Sequence, residues 1–196
     1  MTLCPQTPVM IPVHGENGIK ELVESHLTFV DVGFGYSLMV YIGAGFKTDG
    51  ASVPKEELED SKLAKEICKL IAKHYQGKNY KETLAYLIGT PFEMPRLLAA
   101  IVHDALYSYK WKIRWICDLI YRRILCLQKY DSARTTIEYS GIRIIGWKNW
   151  NSVTDFERDR TRKIVKIKFI RNKKIQEEID KMRISDMAEN TSRRKK

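Results

Sequence analysis

Leu97-Leu98-Ala99-Ala100-Ile101-Val102-His103-Asp104-Ala105-Leu106-Tyr107 sets a histidine and an aspartate side by side in an apolar run. Leu97, Leu98, Ile101, Val102 and Leu106 recur at spacings of three and four, which predicts a helix with a hydrophobic body. An ionised carboxylate in such a body is costly unless it is paired or holds a metal. A second apolar segment, Ile113 to Leu127, carries another acid, Asp118. A turn near Trp111 would fold the two segments into an antiparallel hairpin. Residues 103 and 118 then lie equally far from the turn, about 11 Å along each helix at about 1.5 Å per residue. The expected geometry is His103, through Nδ1, on Asp118: a base with its orienting carboxylate. Two blander readings stay open. The pair is a satisfied core contact, or Asp118 pairs with Arg114 or Arg122, each four positions away on its own helix. Tyr107 shares the face of His103 and Asp104. Its phenol either holds Asp118 or sits in the core.

Outward from this hairpin the chain divides by texture. Leu27–Asp31 and Ser37–Ile42 are strand-like, with Gly33 and Gly35 between them as a β hairpin, and Val9–Val13 reads as one short strand. Gly43 to Pro54 is a structured loop rich in glycine and small polar residues. Residues 55–90, rich in Lys and Glu with helical periodicity, read as a helical insertion. Pro95 begins the central helix, and Asp131 or Ser132 caps a third one that closes at Gly146-Trp147. The expected fold is mainly α (α+β). A three-helix core with its helix hairpin runs from about 95 to 147, and a small N-terminal β hairpin precedes it. Residues 1–154 form the domain. Residues 155–196 form a basic tail with one helix, Ile175 to Ile184, and a disordered end.

The 196 residues suit one domain with a sizeable core. No apolar run is long enough for a transmembrane helix, and no signal peptide is visible. The four cysteines fit no disulfide framework or Cys-x-x-Cys metal pattern, so a reducing, intracellular compartment is expected. The formal net charge is +10, and residues 155–196 hold fifteen basic and eight acidic residues. A basic tail is attracted to an anionic membrane surface or to nucleic acid, or is simply a solvated end.

The Gly-rich loop offers a second constellation. Calcium takes six to eight oxygens, many of them backbone carbonyls. Asp49 adds a carboxylate to the loop, and Asp104 would complete the site from the helix. Read blandly, Asp49-Gly50 is a turn and Asp104 a surface acid.

Phe46-Lys47-Thr48-Asp49-Gly50-Ala51-Ser52-Val53-Pro54, Pro91-Phe92, the His103-Asp104-x-x-Tyr107 helix, Arg114-x-x-x-Asp118 and Gly146-Trp147 occur here in one order. Together they resemble an uncharacterised phage and prophage domain family marked by GFxTDGASVP…HDxLY. The same order resembles, more remotely, the small bacterial branch of phospholipase A2. That second resemblance implies a calcium-dependent hydrolase of phospholipid esters. His103 would be the general base and Asp118 its partner. Asp49, Asp104 and the Gly50 carbonyl would be the calcium ligands, with Tyr107 and Arg114 in support. The family's two cysteines are Ala51 and Ala100 here, a paired loss that a reducing compartment allows. Tyr121 stands where the phospholipase has Phe, and residues 55–90 are inserted. Two other functions compete. One is a metal-dependent phosphohydrolase of the His…His-Asp…Asp kind, using His74. The other is a non-enzymatic virion or host-interaction protein.

Overall fold

The computed structural model describes residues 2–3, 8–14, 19–50, 96–130 and 132–181. The expected insertion at 55–90, the helix start at Pro95, and residues 182–196 lie outside them. The fold is α+β and mainly helical. Strands β1 (Thr2–Leu3), β2 (Met10–Pro12), β3 (Lys20–Leu22), β4 (His26–Gly33), β5 (Tyr36–Ile42) and β6 (Lys47–Thr48) come first. Helices α1 (Arg96–Tyr109), α2 (Arg114–Leu127), α3 (Ser132–Ser152) and α4 (Asp155–Ile164) follow, then strand β7 (Val165–Arg171). Two antiparallel sheets result, ordered β1-β4-β5-β7 and β2-β3-β6. Among the described residues no helix is long and apolar enough to cross a membrane.

Helix α1 is the centre of the core. All but three of its residues are buried, as expected for a helix that is apolar on every side. It ends in a Schellman motif: Lys110, in the left-handed region at φ 51°, donates to the Tyr107 carbonyl, and the Trp111 amide donates to that of Leu106. Cys117 Sγ donates to the Trp111 carbonyl at 3.1 Å, tying the turn back onto α2. This short connection makes α1 and α2 the expected hairpin. Helix α2 ends the same way, with Lys129 at φ 57° and amides of Lys129 and Tyr130 on the carbonyls of Cys126 and Leu125.

The boundary expected at residue 154 is not a break in the fold. Thr154 and Glu157 form a reciprocal capping box that starts α4, and β7 then pairs with β5 along its whole length, from Tyr36↔Arg171 to Ile42↔Val165. The small hairpin is therefore the middle of a four-stranded sheet. Leu38, Val40 and Ile42 face the helices. Phe29, Met39 and Ile170 face the other way, under Ile175 and Ile179 of a helix over residues 175–181. Strand β5 is covered on both faces, which explains its unbroken Leu38-Met39-Val40 run.

Candidate functional site

His103 on α1 and Asp118 on α2 meet where the equal arms of the hairpin bring them. The bonding nitrogen is Nε2, 3.0 Å from Asp118 Oδ1, and not the Nδ1 expected from sequence. Asp118 is fully buried. Its Oδ1 also accepts from the Tyr107 hydroxyl at 2.5 Å, so Tyr107 holds the carboxylate as one of its two readings proposed. Its Oδ2 accepts from Arg143 Nη1 at 2.7 Å. Arg114 is not the main partner. It stands 3.8 Å from Asp118 Oδ2 and donates to the Arg143 carbonyl at 3.1 Å from each of its Nη atoms.

These donors explain the electrostatics. Burial pushes the Asp118 carboxyl up, but the hydrogen bonds from His103, Tyr107 and Arg143 outweigh it and hold it below the usual range. For His103, burial pushes the imidazole down, and the nearby Asp104 carboxylate with the hydrogen-bonded Asp118 more than reverses this. The net result is a more basic imidazole. Burial and the adjacent Asp118 charge keep the Tyr107 phenol protonated, hence a donor. Burial also pushes the Cys117 thiol up to about 12, so it is an inert neighbour.

The imidazole is held on both sides. The Tyr107 ring lies 4.0 Å from it, centroid to centroid, and the Tyr121 ring meets it edge-on at 5.5 Å. Each tyrosine is pinned by a buried acid. The Tyr121 hydroxyl donates to Glu138 Oε2 at 2.6 Å, and Glu138 Oε1 pairs with the buried Arg96 at 2.9 Å and accepts from Tyr130 at 3.2 Å. Gly146 leaves the space that Tyr107 needs: a Cβ there would stand 2.7 Å from the Tyr107 hydroxyl.

The other ring edge faces the loop. His103 Nδ1 is 3.9 Å from Asp104 Oδ1. Asp104 Oδ2 accepts from the Thr48 hydroxyl, and Thr48 Oγ1 accepts from the Gly50 amide at 2.9 Å. Gly50 takes φ +72°, a backbone that suits glycine. The structure thus joins His103, Asp104, Thr48 and Gly50 in one chain of contacts. The side chain of Asp49 lies on an exposed position of the same loop. No family model, curated protein or solved structure matches this chain.

The donor chemistry here suits a hard cation. Asp104 is partly exposed, and its carboxylate oxygens lie beside Thr48 of the loop. Among the described residues no three His, Cys, Asp or Glu side chains form a metal-holding group, so carbonyls would supply the balance. His74, required by the phosphohydrolase alternative, lies outside the described residues.

Sequence reasoning missed Arg143 and Glu138. Both act across 25 and 17 positions, from α3 onto α2, and neither carries a local signal. Thr48 stood inside the quoted loop motif, but its bond to Asp104 spans 56 positions.

Proposed function

We propose that this chain is a calcium-dependent, phospholipase A2-like hydrolase acting on a lipid ester through the His103–Asp118 dyad. The observation that carries the reading is the division of labour on the imidazole. Nε2 is engaged by a buried carboxylate, while Nδ1 is turned toward Asp104 and the Thr48–Gly50 loop.

In this reading Asp118 fixes the tautomer, with the proton on Nε2, and stabilises the imidazolium when it forms. Nδ1 takes a proton from a water molecule on the loop side, and that water attacks the ester carbonyl. Tyr107 and Tyr121 keep the ring from turning away. Asp104, with carbonyls of the Gly50 loop and Asp49, would hold calcium. When bound, calcium supplies Lewis-acid polarisation of the ester and charge for the oxyanion.

The test is fatty-acid release from mixed glycerophospholipid vesicles, with calcium or with a chelator. Release should require calcium and should fall to background in His103→Ala. Calorimetry should give calcium heat that Asp104→Asn removes. Lack of release from every glycerophospholipid tried, or release that survives His103→Ala, overturns the reading. Activity confined to phosphate esters and abolished by His74→Ala would favour the phosphohydrolase.

A further inference from the structure

Among the described residues, α2 and its N-cap carry exposed apolar side chains. Ile113 is 52% exposed, Trp115 47% and Leu119 36%. Trp115 and Leu119 are one turn apart on the side of α2 opposite its buried residues Cys117, Ile120, Tyr121 and Ile124. Ile113 occupies the N-cap, where Ser, Thr, Asp or Asn would bond the first amides. It makes no capping hydrogen bond. The turn before it puts both Lys110 and Lys112 in the left-handed region, at φ 51° and 58°, which is strained for lysine.

The charge along this segment is mainly positive, although Asp31 of β4 lies beside Arg123, whose Nε donates to the Asp31 carbonyl at 2.9 Å. Residues 109–130 contain six basic side chains and one acid, Asp118. That acid is fully buried and already paired with Arg143, so it offsets nothing at the surface. Lys112, Arg122 and Arg123 are all exposed.

We propose that this face of α2 docks on an anionic phospholipid bilayer. Ile113, Trp115 and Leu119 enter the headgroup–acyl boundary, and Lys112, Arg122 and Arg123 meet the lipid phosphates. Three considerations select this occupant. A second copy would set two positive faces against each other. A nucleic acid would satisfy the cations and could stack on Trp115, but it has no use for two aliphatic side chains. A bilayer takes both the aliphatic and the cationic groups. The surface rests on α2 alone and does not require the dyad to be catalytic.

The experiment is co-sedimentation of the full chain with extruded vesicles in a calcium chelator. One set is phosphatidylcholine alone and the other contains phosphatidylglycerol. Because turnover is not measured, failure here leaves the hydrolase reading untouched, and the converse also holds. The chain should bind the anionic vesicles and not the neutral ones. Lys112→Glu should weaken binding at least about fivefold, roughly the effect of one charge at a lipid surface. Trp115→Ser should weaken it similarly, with circular dichroism unchanged. A variant with Arg193, Arg194, Lys195 and Lys196 all changed to Gln should retain most of the binding. The proposal is overturned by absence of binding, by equal binding to neutral vesicles, or by wild-type binding in both α2 variants. It is also overturned if Trp115→Ser instead abolishes self-association of the free chain.

Discussion

Replacing Asp118 by Asn tests the centre of the site most directly. The carboxylate has acceptors at both ends: Oδ1 for His103 Nε2 and Tyr107, Oδ2 for Arg143. An amide is nearly the same shape but has only one acceptor end. With the proton kept on His103 Nε2, the amide NH2 meets a donor whichever way it is turned. If the NH2 faces Arg143, a guanidinium loses its charged partner; that side chain is 35% exposed, so solvent limits the cost to about 1 kcal/mol. The alternative orientation confronts two buried donors, at about 1–3 kcal/mol for groups left unsatisfied. The asparagine will choose the cheaper arrangement, and it also loses the charge that all three donors share. A total of about 2–3 kcal/mol follows. Urea unfolding reads this directly, and a melt should fall by about 4–12 °C for a chain of this size. Asp155→Asn is the control, since its side chain is 86% exposed and its pairing with Arg158 lies within one helix turn. On lipid ester, the variant should also lose at least about a hundredfold in turnover, because an amide cannot support the imidazolium. A stability loss under about 0.5 kcal/mol, no larger than that of a surface change, would refute the network itself. A clear stability loss with undiminished turnover would leave the network structural and end its catalytic assignment.

Gly146→Ala should destabilise by about 1–3 kcal/mol, because its Cβ collides with the Tyr107 hydroxyl, whereas Gly141→Ala, with open space around it, should stabilise by about 1 kcal/mol through helix propensity. Paired thermal melts decide this; equal shifts would mean that Gly146 is not needed as a gap. Lys129→Gly should stabilise by about 1 kcal/mol by relieving the left-handed lysine after α2, and an unchanged or lower denaturation midpoint would count against that strain. His26 gives a pH dependence. Burial lowers its imidazole to about 4, while in the unfolded chain it returns to the ordinary value of 6.5. The unfolded state therefore binds the proton first as pH falls. The stability from keeping His26 neutral is fully present above 6.5, declines between 6.5 and about 4, and loses roughly 3 kcal/mol in all. Denaturation between pH 7 and 4 should show this fall and His26→Gln should flatten it; parallel curves would refute it.

What the sequence determined by itself is what local periodicity can carry. The three- and four-residue spacing of Leu97, Leu98, Ile101 and Val102 specifies a helix. The similar distances of residues 103 and 118 from the turn at Trp111 then bring His103 opposite Asp118 once the hairpin closes. The β4–β5 hairpin was legible from two strand-like apolar runs on either side of Gly33 and Gly35. Two further signals lie in the basic C-terminal stretch: Thr154-x-x-Glu157, the capping box of α4, and Val165-Lys166-Ile167-Lys168, the alternation of β7. Their place in the fold was another matter, because β7 pairs with residues 123 to 135 positions earlier and no local pattern names that partner. Only the tertiary structure decided the rest of the site. Arg143 reaches Asp118 from α3, and Glu138 pins Tyr121 against the His103 ring. Which imidazole nitrogen faces Asp118 is a rotamer choice, made by the two tyrosines packed around it. A rotamer depends on what fills the space beside it, and that space is shaped by helices that meet only after the chain has folded.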